Sequence, residues 1–173
     1  MRTITITFVD HGPGTDARLA ASILAQSLRT QGRHPEHSSQ SVTFQTTNAS
    51  PPQVLVLLSE DLLHEPVILN AVDSETAVVL CSARSPHDVA GELGRPAARV
   101  SCVDGEGIAA EQGTDQVIAL LGGAARMVPD ICIECLTASV WSAYDSQFAY
   151  GARAAARALD LGYTLTEEWQ AAF

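Results

Sequence analysis

Two short stretches, Val54–Leu58 (VLVLL) and Ala77–Cys81 (AVVLC), are apolar runs of strand length with no polar residue inside them. A strand covered on one face alternates apolar and polar side chains; an unbroken run needs apolar cover on both faces. Such strands belong to a parallel sheet whose crossovers lay helices on either side. The segment between them, SEDLLHEPVILNAV, reads as the crossover helix, opened by a Ser59 cap and kinked or split at Pro66. Arg99–Val103 is a further strand, and SPHDVAGELG a short helix with a serine–proline start. The expected fold is α/β: a three-layer Rossmann-like domain with a mostly parallel sheet and a helical C-terminal third.

The chain opens on Thr3–Val9 (TITITFV), a β-branched strand. A Gly12-Pro13-Gly14 turn follows, with Thr15 as the expected helix N-cap. Ala17, Ala20, Ile23, Leu24, Ser27 and Leu28 then share one helical face, which Gly32 and Pro35 end. The polar stretch HPEHSSQSVTFQTTNASPP carries a strand signal at Ser41–Thr47 and closes at Pro51–Pro52. From about Thr114 three helical patterns succeed one another: TDQVIALLGGAARM, DICIECLTASVWSAY and DSQFAYGARAAARALDLG. Residues 1–162 read as one domain and 163–173 as a tail, with no internal repeat or low-complexity linker.

A chain of 173 residues can bury about 70% of its unfolded surface, enough for a core without staples. No apolar run approaches the ~20 residues of a membrane span, and no signal-peptide pattern follows Met1, so a cytoplasmic location is expected. Ten basic against twenty acidic residues give a net charge of −10, which disfavours nucleic acid and anionic membranes as partners. Every basic residue is arginine, so lysine chemistry of the Schiff-base or P-loop kind is excluded. Cys81, Cys102, Cys132 and Cys135 are expected as thiols in a reducing compartment.

Candidate chemistry concentrates at the opening turn. A glycine-rich strand-to-helix turn lets backbone N–H groups approach phosphate. Here Pro13 removes a donor, and Asp10 and Asp16 bring negative charge. The turn reads either as a structural connection or as a ligand contact through Gly12, Gly14, Thr15 and Asp16, the structural reading being the stronger. His11 flanks it without a nucleophile or orienting carboxylate. His34 and His37 are two loop histidines with no third metal ligand, and no metal site is expected. Cys132–Cys135 (CIEC) is a CxxC placed late in a helical run; structural cysteines are favoured over zinc or thioredoxin-type redox chemistry. Gly122 and Gly123, inside an apolar helix, mark a packing seam within the domain or against a partner. Arg153 and Arg157, one helical turn apart, form a solvated or interfacial stripe. No residue is assigned a catalytic role.

The order AASILAQSLRTQG, PPQVLVLLSEDLL, SETAVVLCSA, ARVSCVDGEGIAAEQG, IALLGGAARM and ALDLGY covers nearly the whole chain. It resembles the gamma subunit, or gamma domain, of the 2-oxoacid:ferredoxin oxidoreductases (pyruvate or ketoisovalerate type). The most specific pieces are Val103–Ala109 (VDGEGIA) and Leu120–Arg126 (LLGGAAR). The resemblance implies a mainly structural subunit docked to alpha and beta subunits, with ferredoxin as a further partner. It also implies a complex that uses thiamine diphosphate, Mg²⁺, iron–sulfur clusters and coenzyme A, held on other subunits or at their border.

The departures fall on the contact loops. The family's G-x-G-G-Q-G loop is replaced by His11, Gly12, Pro13, Gly14, Thr15 and Asp16; its arginine-bearing loop between the second and third strands is reduced to HSSQSV; and Val117 stands where an asparagine usually precedes the Leu-Gly pair. Capture of a polyanion such as coenzyme A is electrostatically uphill at this turn, and an altered acceptor follows as an expectation. The alternative is a stand-alone module binding a nucleotide, flavin or coenzyme A. A free-standing redox enzyme using Cys132 and Cys135 ranks last.

Overall fold

The computed structural model describes residues 2–46, 50–94, 99–144 and 149–170. The described residues contain a seven-stranded sheet in the order β2-β3-β1-β4-β5-β6-β7. The strands are β1 (Arg2–Val9), β2 (Glu36–His37), β3 (Ser41–Thr46), β4 (Gln53–Leu57), β5 (Thr76–Cys81), β6 (Arg99–Val103) and β7 (Glu167–Gln170). The central strands β1, β4, β5 and β6 run parallel, while β3 on one side and β7 on the other pair antiparallel.

The unbroken apolar runs became the doubly covered strands. Leu55, Leu57, Val78, Leu80 and Val100 face one layer, made by a 3₁₀ turn (Glu60–His64), α2 (Pro66–Ala71) and α3 (Pro86–Leu93). Val54, Val56, Ala77 and Val79 face the other. That layer holds α1 (Thr15–Thr30), α4 (Gly105–Gln112), α5 (Gln116–Met127), α6 (Ile133–Tyr144) and α7 (Ala149–Leu165). β1 alternates instead: Ile4, Ile6 and Phe8 are fully buried, while Thr3, Thr5 and Thr7 face away from that layer. Two of those threonines bond across the ladder to β3, Thr5 sharing a 3.0 Å hydroxyl bond with Thr43 and Thr3 Oγ1 accepting from Gln45 at 2.9 Å. The cover on that face extends over β4–β6, and the edge half of the sheet carries a polar outer surface.

Several local expectations change. Thr15 is the first helical residue of α1, and the cap is Gly14 in the left-handed region (φ 63°), with no side-chain cap bond. Glycine takes that conformation without the Cβ clash another residue would meet. Pro66 splits the second crossover into a 3₁₀ turn and α2, because its ring lacks the N–H an uninterrupted helix needs. Residues 105–112, not read as helical, form α4, opened by Asp104, whose carboxylate accepts from Gly107 N–H at 2.9 Å.

The segment read as a tail is joined to the fold. Residues 163–165 finish α7, and β7 pairs with β6 from Arg99↔Gln170 to Cys102↔Glu167. Trp169 anchors it against the second core layer beside His87, with Glu168 ion-paired to Arg99. Residues 145–148 of the last helical pattern, Thr47 of the strand signal and the final three residues lie outside the described residues.

Gly122 and Gly123 are a seam within the domain. A Cβ on Gly122 would lie 2.3 Å from the Leu159 carbonyl oxygen, and one on Gly162 2.0 Å from that of Ala119. Bare backbone on both sides lets α5 and α7 cross in contact. Gly123 faces the sheet, where a Cβ would meet Val103 Cγ2 at 2.6 Å.

Candidate functional site

In an open parallel sheet the crevice beyond the carboxyl ends of the strands is where ligands bind, at the point where chain direction across the sheet reverses. Here the chain leaves β1 toward β3 and leaves β4 toward β5, so the reversal lies between β1 and β4. Gly12, Gly14, Thr15 and Asp16 stand at that end of β1. Gly12 (φ 80°) and Gly14 (φ 63°) both hold left-handed backbone there.

The turn is crowded and acidic. The space a side chain at Gly14 would need is taken by Gln40, whose amide nitrogen lies 2.2 Å from the ideal Cβ position. The Gln40 backbone is paired to β1, its carbonyl accepting from Phe8 N–H at 2.9 Å. Partial burial, and then the charges of Asp10 and Asp115, push the Asp16 carboxyl above its ordinary value. Tyr144, at the end of α6, donates its hydroxyl to Asp115 Oδ2 at 2.5 Å, and burial with that bond pushes the phenol's ionisation well upward. Three carboxylates therefore surround the α1 N-terminus. His11 is exposed beside it, and His34 and His37 are exposed on and near β2 at the far edge of the sheet, away from the turn.

Next to the turn a cleft of about 330 Å³ opens at the carboxyl ends of β4, β5 and β6, lined by Ser59, Glu60, Cys81, Ser82, Asp104 and Glu106. They cluster where the apolar runs of β4, β5 and β6 end, with Glu106 in the first turn of α4, a position legible in the sequence from the ends of those runs. Ser82 donates to Glu60, Arg84 N–H donates to Ser82 Oγ at 3.0 Å, and the Arg84 guanidinium bonds Glu92 at 2.6 Å. Cys81 donates to Gln116 Oε1 at 3.7 Å, while Gln116 donates to the Leu58 carbonyl at 3.3 Å. Burial pushes the Cys81 thiol up, so at neutral pH it is a protonated, weak nucleophile. Cys102, on the other sheet face, is pushed up to about 12, chiefly by burial. Among the described residues no group of three or more His, Cys, Asp or Glu side chains is placed to hold a metal ion.

The CxxC straddles the start of α6. The Leu136 N–H bonds the Cys132 carbonyl at 3.0 Å, making Cys132 the N-cap of α6 and Cys135 a first-turn residue. Both are free thiols and partly exposed, in contrast to buried Cys81 and Cys102. Arg157 pairs with Asp160 at 2.9 Å, and with Arg153 and Tyr150 it borders a shallow cleft against α4. No helix among the described residues is long and apolar enough to cross a membrane.

No protein-family model matches the chain, and no curated protein matches it by sequence. Solved structures do match. The pyruvate oxidoreductase subunit PORC of Thermotoga maritima aligns with a TM-score of 0.77 at 19% identity, over 98% of this chain and 100% of that one. The gamma subunit of a keto/oxoacid ferredoxin oxidoreductase from Geobacter sulfurreducens aligns with a TM-score of 0.62 at 11% identity, over 94% of each chain. End to end, the chain has the fold of these oxidoreductase subunits.

Proposed function

We propose that the chain is a gamma-type, mainly structural subunit of a thiamine-diphosphate-dependent 2-oxoacid oxidoreductase complex, assembled with alpha and beta subunits and serving ferredoxin. The observation that carries this reading is the extent of the structural match: 98% of this chain against all of the PORC chain leaves no segment free for a different architecture. The motifs at Val103–Ala109 and Leu120–Arg126 support it from the sequence side, because both build the scaffold: Asp104 caps α4, and Gly122 seats α7. In this reading thiamine diphosphate, Mg²⁺ and iron–sulfur clusters belong to the partner subunits, and this chain contributes shape.

Coenzyme A does not suit the opening turn. A phosphate there would meet Asp10, Asp16 and Asp115, lose a donor at Pro13 and find the space beside Gly14 taken by Gln40. Bringing a polyanion to three carboxylates on a chain of net charge −10 is unfavourable. The complex therefore takes a different acceptor, or seats coenzyme A wholly on other chains. Co-expression of the chain with candidate alpha and beta subunits, followed by size-exclusion chromatography, tests the proposal. Co-elution in one heteromeric peak is expected; a chain that stays monomeric with every such pair overturns it. A thermal shift of the chain purified alone with coenzyme A, nucleotides or flavins would favour the stand-alone binding module, since ligand at 100 times its Kd adds about 2.7 kcal/mol.

A further inference from the structure

We infer that Cys132 and Cys135 form a thiol–disulfide exchange site whose substrates are low-molecular-weight or protein disulfides. A CxxC buried in mid-helix is inert, but this pair straddles a helix start. Cys132 is the N-cap of α6, and its sulfur accepts the Cys135 N–H at 3.4 Å. The sulfur of one cysteine thus rests against the backbone of the other. Helical geometry sets Cα atoms three residues apart at roughly 5 Å, inside the 4.4–6.8 Å range a disulfide requires. Side chains on a helix tilt toward its N-terminus, which turns the Cys135 Cβ toward Cys132.

The surroundings suit exchange at Cys132. Its sulfur lies at the N-terminus of a 12-residue helix and accepts one backbone amide there. The thiol donates to Glu134 Oε2 at 3.1 Å, a bond that keeps the Glu134 carboxyl below its ordinary range and that Cys132 gives up when it loses its proton. Both cysteines are partly exposed, so a disulfide in solution reaches them.

The step balances as follows. Cys132 loses its proton to solvent, and the thiolate attacks one sulfur of a disulfide RS–SR, forming a mixed disulfide and expelling RS⁻. Cys135, deprotonated in turn, attacks Cys132 Sγ and expels the second RS⁻. Two protein thiols are oxidised, RS–SR is reduced to two RSH, and the protons return to the leaving thiolates.

The arginine spacing makes the test direct. With no lysine in the chain, trypsin leaves both cysteines on one peptide, residues 127–153, while Cys81 and Cys102 fall on other peptides. The native full-length chain is incubated across a series of reduced to oxidised glutathione ratios, quenched in acid, alkylated and digested. The expected result is conversion of peptide 127–153 from two alkylated thiols to an unalkylated form lighter than the dithiol by two hydrogens. In Cys135→Ser, Cys132 is expected to hold glutathione as a stable mixed disulfide that the unsubstituted chain resolves. Peptide 127–153 remaining fully alkylated at every ratio overturns the inference, as does glutathione persisting on Cys132 while Cys135 stays a free thiol. The readout on the unsubstituted chain stands even if the variant fails to fold.

Discussion

Replacing Gly162 by alanine sets helix propensity against packing, and the structure decides the sign. In an unencumbered helix, alanine is favoured over glycine by about 1 kcal/mol. At Gly162 the new Cβ would sit 2.0 Å from the Ala119 carbonyl oxygen and 2.7 Å from its Cα. Ordinary contact begins near 3.5 Å, so α5 and α7 must part by about 1.5 Å at their crossing. A gap of that size forfeits at least half the dispersion energy of the atoms flanking it, and overpacking of this kind costs about 3 kcal/mol at the upper end of its usual range. Subtracting the propensity gain leaves a loss of about 2 kcal/mol. Gly151, in the same helix, has nothing within 4 Å of an added Cβ, so Gly151→Ala should gain roughly 0.5–1 kcal/mol. Followed by circular dichroism on heating, Gly162→Ala should lower Tm by about 4–8 °C and Gly151→Ala should raise it by a few degrees. If Gly162→Ala raises Tm, or if both move it in the same direction, the backbone contact between α5 and α7 is refuted.

Asp130 is buried and accepts from Arg33 at 2.8 Å and from Thr46 and Ser50, tying the loop before α6 to the ends of α1 and β3. Asp130→Ala should cost about 2 kcal/mol in urea unfolding, since it removes the acceptor that Arg33, Thr46 and Ser50 share, while Asp130→Asn recovers part by still accepting. Hydrogen bonding to Arg84 holds the Glu92 carboxyl below its ordinary value, so its contribution is present above the ordinary carboxylate range and lost as pH falls through the lowered value. The Tm gap between the parent and Glu92→Gln should be widest near neutral pH and close in strong acid. Burial pushes the thiols of Cys81 and Cys102 up, so iodoacetamide on the native chain should label peptide 127–153 and spare the peptides holding Cys81 and Cys102 until urea unfolds the chain. Labelling of all four cysteines at equal rates would contradict that burial.

The unalternated runs at Val54–Leu58 and Ala77–Cys81 were enough to announce a doubly covered parallel sheet, because burial of both faces is a local demand that each residue of the run must meet. The alternation of TITITF carried the opposite message, one covered face and one threonine-lined surface, at the edge half of the sheet. Glycine pairs in an apolar helix signalled close approach, though not to which neighbour. Three things were decided only in three dimensions. Gln40 closes over Gly14 from the bend before β3, 26 residues downstream, and Asp115, at the start of α5 and bonded by Tyr144 of α6, brings its charge to Asp16. Residues 167–170 became a strand because Trp169 had a core layer to enter and β6 an open edge to pair. The CxxC changed character because the helix begins at Ile133, which leaves Cys132 at a partly exposed cap and Cys135 in the first turn. Sequence speaks for what a residue requires of its immediate surroundings; which distant residue supplies it depends on the path of the chain.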